Sequence, residues 1–490
     1  MAEENLRQKT VSGVQWNSID KLATMAISLV LSIVLARILG PESYGLIGIV
    51  SIFVNVFYTF VDSGFSSALI RKETITEDDY STAFIFNLIV SITLYLFLFI
   101  FAPFVAKFFN QPMLTELLRV MGVMVIINAI CLTQVTKLSR DINFKVQAKV
   151  SILSVIVCGI VGIGMAVSGC GVWSLVGQQL SLYGTRAFLL CYFNRWIPKL
   201  RFSKESFSYM FGFGWKVLLS NVISSIWVQG NKIIIGKMYP AQTLGYYTKS
   251  QEWPNQIANN FGGIVRTVSY PALSKIQDEP ERLLVNFRKI FKMAFFFSVM
   301  ACLGISAVSY SLVLTLYGAE WEPAVKFIQI VCLSFIFHAP ILFVLSVLQI
   351  KNRTDIFLIL EVIGKVVALI PFALGIKYGI MWLLWGSVVL SVFQFTLDVL
   401  FTGKQIGYTM KMWLKDMVPS AMVGIAMYAA VWPLRFIGIP VQLMLVLQVL
   451  VGVIVVVALS KTFKLEEYQE IVGMVKPWID KVLKKNKKQG

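Results

Sequence analysis

The chain has 490 residues, 57% of them hydrophobic and 14% charged, and its 44 Lys and Arg against 26 Asp and Glu give a formal charge of +18. So apolar a composition excludes a soluble globular protein. The basic residues gather in the connections between apolar stretches, so the charge reads as membrane topology rather than nucleic-acid binding.

Fourteen apolar stretches follow one another, near residues 14–39, 44–69, 80–109, 114–137, 146–168, 171–193, 207–236, 243–273, 287–317, 323–350, 354–376, 379–402, 413–434 and 440–460. Each approaches the roughly 20 residues that a helix needs to cross a hydrocarbon layer. Long continuous stretches favour helices over a β-barrel. The start, Met1 to Gln15, is polar, and no small-residue cleavage site follows it, so the first helix is expected to stay. The six cysteines lack CxxC or Cys/His spacing and read as small buried hydrophobes.

Alternate connections are basic. Arg71 and Lys72, Lys137 to Lys149, Arg195 to Lys204, Lys275 to Lys292, Lys351 and Arg353, and Lys404 to Lys415 fall on one side; the other side has little beyond Arg37, Lys107, Lys237, Lys377 and Arg435. The positive-inside rule makes the first set cytoplasmic, and both termini with it. After the last stretch, Leu465, Tyr468, Val472, Val475, Ile479 and Leu483 keep helical spacing among lysines, as in a helix resting on anionic lipid.

The chain also repeats. Leu35-Ala36-Arg37-Ile38-Leu39-Gly40-Pro41 with Tyr44-Gly45-Leu46 returns as Ile235-Gly236-Lys237-Met238-Tyr239-Pro240 with Leu244-Gly245-Tyr246, and Gly171-Val172-Trp173 returns as Gly379-Ile380 before Trp382. An offset of about two hundred residues predicts two six-helix lobes related by a pseudo-twofold along the membrane normal, with a substrate site between them. The expected organisation is an N-lobe at 1–205, a C-lobe at 206–402, two further helices at 403–460 and a basic amphipathic tail at 461–490.

Polar stripes run along several stretches. In the seventh, Lys216, Ser220, Ser224, Trp227 and Asn231 recur at helical spacing, with Lys232 beside them; in the eighth, Lys249, Glu252, Gln256, Asn259 and Arg266 do the same. The first stretch offers Lys21, and the second offers Asn55 and Asp62. A charge at the bilayer centre costs roughly 2.5–3.5 kcal/mol, so these stripes are expected to face a wet pathway. Its balance is positive, which suits phosphate oxygens, while amides beside Trp227, Trp253, Tyr246 and Tyr247 suit sugars.

No phosphate loop of the GxxxxGK[ST] type is present, and no catalytic constellation or metal-ligand spacing is legible, so the expectation is a transporter with no cofactor beyond coupling to Na⁺ or H⁺. Buried carboxylates that could hold such an ion are Asp62, which ranks first for its place on the stripe of the second stretch, Asp398, and Glu361, which has Lys365 one turn on. His338, two residues before Pro340, reads as a partner for backbone freed by the proline.

The motifs quoted above, together with Gly64-Phe65, Ala68-Leu69-Ile70-Arg71 and Pro271-Ala272-Leu273-Ser274-Lys275, resemble the polysaccharide transporter branch of the multidrug/oligosaccharidyl-lipid/polysaccharide exporter superfamily, in the manner of colanic acid exporters. The resemblance covers about residues 10 to 400. It implies an inner-membrane flippase for an undecaprenyl-pyrophosphate-linked oligosaccharide, working by alternating access, with polysaccharide polymerase and export machinery as partners beside membrane lipids. Two other readings stand beside it. A drug or metabolite antiporter of the same superfamily is disfavoured by a cationic cavity, and a membrane glycosyltransferase or polymerase by short, nearly uncharged outer connections.

Overall fold

The apolar stretches are mostly helical in the computed structural model, which describes residues 2–473 except 63, 73, 200 and 471; the side chains of 2–11, 14, 213, 260, 261 and 264–268 also fall outside the described set. The helices are α1 (Ala2–Asp62), α2 (Phe65–Arg71), α3 (Glu77–Phe109), α4 (Leu114–Arg140), α5 (Phe144–Val167), α6 (Trp173–Asn194), α7 (Lys204–Met238), α8 (Ala241–Ser274), α9 (Pro280–Leu316), α10 (Ala324–Phe335), α11 (His338–Ile350), α12 (Thr354–Val367), α13 (Leu369–Tyr378), α14 (Ile380–Ile406), α15 (Met410–Val431) and α16 (Val441–Thr462). No strand occurs among the described residues. The chain is an all-helical, multi-pass membrane protein.

Ten helices among the described residues are long and apolar enough to cross a bilayer, or eleven when the pair Lys204–Gly212 and Gly214–Met238, bent by 48°, is taken as one span. The difference from fourteen has physical sources. The first two stretches are one helix in α1, kinked at Gly40, whose φ of 66° lies outside helical space and is followed by Pro41. The other shortfalls are α6, which carries Gln178, Gln179 and Arg186, and α8, which carries the polar stripe.

Helix starts follow local chemistry. At α3, the Thr76 side chain accepts from the Asp79 amide while the Asp79 carboxylate takes the Thr76 N–H, a capping box that Lys72 closes at 2.7 Å. Ser203 caps α7 and Thr409 caps α15, each side chain accepting one backbone N–H from the first turn.

The chain divides into two compact units, Met1–Thr248 and Lys249–Gly490. In the first, α1 packs on α5 and α7, α3 on α4, and α6 on α4 and α5. The expected lobe boundary at 205/206 concerns which segments repeat, whereas these units concern which segments touch, and α7 touches α1, α2 and α3. In the second unit, α9 packs on α10, α15 and α16, and α14 on α10, α11 and α13.

Lipid tails are as apolar as leucine, so packing and buried hydrogen bonds, rather than water exclusion, hold such helices together. The second unit meets that need with stacked rings. Phe287 lies 5.1 Å from Phe343, and Phe291 lies 6.2 Å from Phe395, between ring centroids. Beside them Arg288 grips the buried Asp416 with two bonds of 2.8 and 2.7 Å, and Tyr408 donates to the same carboxylate at 3.1 Å. In the first unit, Trp196 donates to Glu77 at 2.6 Å and Gln134 donates to the Trp196 carbonyl at 3.2 Å, which ties the connection after α6 to α3 and α4.

The tail begins as a docked segment. Leu465 is buried against Phe296 and Val423, with Tyr468 beside it. Glu466 and Glu470 pair with Lys292 and Lys289 of α9, each at 2.8 Å. The lysine-rich part from Lys476 to Lys488 lies outside the described residues.

Candidate functional site

Within the first unit, the stripe of α7 changes environment along its length. Lys216 is exposed and stands 6.0 Å from the Trp215 ring centroid, whereas Trp227, Asn231 and Lys232 are half-buried. Asn231 stands beside the buried Tyr247, and its Oδ1 has no hydrogen-bond partner among the described residues. Lys232 makes no ion pair or hydrogen bond with any described residue, although it sits in a span with an apolar run, Ile233 to Ile235, directly after it. An ammonium kept half-buried in a bilayer-length helix without a protein counter-ion is a costly arrangement that calls for a ligand or for water.

On α1, Lys21 and Asn55 are exposed, and Asp62 is half-buried and accepts from the Ser66 hydroxyl at 2.6 Å. Sequence reading missed Arg186. This half-buried residue of α6 lies within electrostatic range of Asp20 and of the Cys131 thiol, and Tyr183, one turn before it, packs its ring 5.5 Å from that of Tyr58. The signal was available: Gln179, Tyr183 and Arg186 recur at steps of four and three, the spacing used to pick out the stripe of α8.

Within the second unit, two of the predicted charges satisfy one another. Lys249 is only 3% exposed and is bonded to Glu252 at 2.8 Å, with its ammonium 5.3 Å from the Tyr317 ring centroid. Trp253 in turn donates to the Tyr317 hydroxyl at 2.9 Å. Gln256 is half-buried with its carbonyl oxygen unsatisfied, and Asn259 is exposed. The side chain of Arg266 lies outside the described residues.

The three candidate coupling carboxylates differ sharply. Glu361 is paired with Lys365 at 3.5 Å and is partly exposed. Asp398 on α14 is 0% exposed; one oxygen accepts from Gln394 at 2.8 Å, while the other is buried with no hydrogen-bond partner among the described residues. Gln394 is itself held against α12, donating to the Leu360 carbonyl at 3.3 Å, where Gly364 leaves space for it: a Cβ there would lie 2.9 Å from the Gln394 Cδ. Thr402, one turn beyond Asp398, has an unsatisfied buried hydroxyl. A buried carboxyl with a free oxygen beside an amide is suited to take up a proton or a small cation. No group of three His, Cys, Asp or Glu side chains that could hold a metal ion occurs among the described residues.

A sequence model of the family described as polysaccharide biosynthesis protein matches residues 34–326. The chain is 23% identical over 425 residues to the lipopolysaccharide biosynthesis protein WzxC of Escherichia coli (strain K12), covering 84% of this chain and 85% of that one. It is 24% identical over 330 residues to the succinoglycan biosynthesis transport protein ExoT of Rhizobium meliloti (strain 1021), covering 66% of each. Among solved structures, it matches the lipid II flippase MurJ in an inward closed conformation with a TM-score of 0.75 at 15% identity, over 94% of this chain and 100% of that one. At that identity the likeness is one of fold.

Proposed function

The chain belongs to the polysaccharide biosynthesis protein family, and from that premise we propose that it is a flippase carrying a lipid-linked oligosaccharide across the membrane during surface polysaccharide synthesis. The observation that carries the reading is the half-buried Lys232 of α7, which has no partner among the described residues. A diphosphate bridging a polyprenol and a sugar offers the anionic oxygens such an ammonium lacks, at a depth that soluble metabolites do not reach. Arg186 adds a planar donor suited to phosphate, and the amides and rings of Asn231 and Trp227 suit the sugar.

In this proposal the carrier lipid is undecaprenyl pyrophosphate, the membrane is the bacterial inner membrane with both termini cytoplasmic, and two lobes alternate access around a cationic cavity. Polymerase and export machinery take up the product. Ion coupling is assigned to Asp398 ahead of Asp62, because Asp398 has a free buried oxygen whereas Asp62 is bonded to Ser66 in a less enclosed place.

Deletion of the gene tests the reading. Cells should accumulate polyprenyl-diphosphate oligosaccharide and lose surface polysaccharide, with unchanged sensitivity to cationic drugs. Intact surface polysaccharide with heightened drug sensitivity would favour an antiporter.

A further inference from the structure

In the second unit, α9, α10, α14 and α15 enclose a slot of about 520 Å³, within the size range of small-molecule sites. The slot has a direction. Lys326 stands in the first turn of α10, Trp385 in the second turn of α14 and Tyr428 in the last turn of α15, so three spans contribute from the same end. Since these spans are of bilayer length, that end is the level of lipid headgroups.

Polar demand in the slot is confined to one group. Gln329 donates to the Ser309 hydroxyl at 3.1 Å, Ser309 donates to the Ser306 carbonyl at 2.8 Å, and the Ser306 hydroxyl stands beside that of Tyr428. The remaining wall, including Leu303, Leu333, Trp385 and Ile425, is apolar. Lys326 is exposed and makes no ion pair or hydrogen bond with any described residue. An apolar slot ending in one free ammonium, with an indole beside it, matches a molecule with a hydrocarbon chain and one negative charge at its head.

We propose that this slot binds one anionic phospholipid, with an acyl chain between α9, α10 and α15 and its phosphodiester on Lys326. The charge count selects the ligand. A zwitterionic phospholipid brings its own ammonium to its phosphate and leaves Lys326 unanswered, while a polyprenyl diphosphate carries more charge than one lysine compensates. The site is separate from the stripe of α7 and does not rest on the flippase reading.

The test is lipid retention by the purified full-length protein in detergent, counted by native mass spectrometry during titration with phosphatidylglycerol or phosphatidylcholine. The wild type should hold one phosphatidylglycerol in preference to phosphatidylcholine. Lys326→Ala should weaken that binding roughly tenfold and abolish the preference, as expected for a lost charge-assisted hydrogen bond. Ile425→Trp, which fills the slot from a lipid-exposed position, should remove the bound lipid of either kind, and Lys404→Ala should match the wild type. Undiminished retention and preference in Lys326→Ala would overturn the proposal. So would displacement of phosphatidylglycerol from the wild type by an equimolar polyprenyl diphosphate, which would assign the slot to a carrier lipid.

Discussion

Gly45 and Gly245 each press against the helix turn that precedes the other. A Cβ on Gly45 would overlap the Ala241 carbonyl, and a Cβ on Gly245 would overlap the Pro41 carbonyl and lie 3.2 Å from the Gly45 nitrogen. The two glycines occupy equivalent places in the repeated motif, so the repeat is also a contact: α1, just after its kink, crosses the start of α8 backbone to backbone, as small residues allow in bilayers. Gly45→Ala or Gly245→Ala should each cost about 1–3 kcal/mol by overpacking. The measurement is thermal unfolding in detergent, and an unshifted melting temperature in both variants would refute the close approach.

The second prediction concerns the Arg288–Asp416 pair. Asp416→Asn leaves Arg288 without its carboxylate, and leaves Lys292, which stands 3.7 Å from the same carboxylate, with Glu466 alone. The loss should be about 3 kcal/mol, whereas the double variant Arg288→Met with Asp416→Leu should recover most of it. Melting temperatures of the three proteins decide this, and a double variant as unstable as Asp416→Asn would contradict it.

The docked tail should respond to pH in two directions. The hydrogen bond from Lys292 holds Glu466 below the usual carboxylate range, so its contribution is present above the ordinary glutamate value and is lost as pH falls through its lowered one. Burial pushes Glu467 up, so its contribution has the opposite sign and is lost as pH rises through its raised value. Hydrogen-exchange protection of residues 465–470 should therefore peak near the ordinary glutamate value of about 4.3. Glu467→Gln should remove the fall on the alkaline side and Glu466→Gln the fall on the acid side; a flat profile in the wild type would count against both.

Asp398→Asn should abolish dependence of transport on the ion gradient while leaving lipid-oligosaccharide binding intact, because the change removes an ionisable oxygen and keeps the bond with Gln394 possible. Asp62→Asn should have the smaller effect. Transport assayed with and without an imposed gradient measures both, and full gradient dependence in Asp398→Asn would exclude that residue.

Much of this fold was legible because bilayer-length apolar stretches have few other solutions, although the two stretches read on either side of Gly40-Pro41 form one kinked helix. The stripes were less informative. Helical spacing identifies a face but not what the face meets, so Lys249 and Glu252, picked as ligand contacts, are found bonded to each other, whereas Lys232 beside the stripe has no ion pair with any described residue. Arg186 was missed because it is the single charge inside α6, whereas α7 and α8 each carry several. The slot at Lys326 is built from two helix pairs, α9 with α10 and α14 with α15, that lie far apart in sequence, which no local pattern reveals.

The flippase reading is tested most directly in proteoliposomes carrying a fluorescent polyprenyl-diphosphate oligosaccharide, with a membrane-impermeant reagent reporting which leaflet holds the sugar. The wild type should move the oligosaccharide between leaflets faster than protein-free vesicles, and Lys232→Ala should slow it by roughly tenfold or more, the loss of one charge-assisted contact with phosphate. Lys404→Ala, changed at the end of α14, should match the wild type. Movement by the wild type no faster than in protein-free vesicles, under an imposed Na⁺ or H⁺ gradient, would contradict the account.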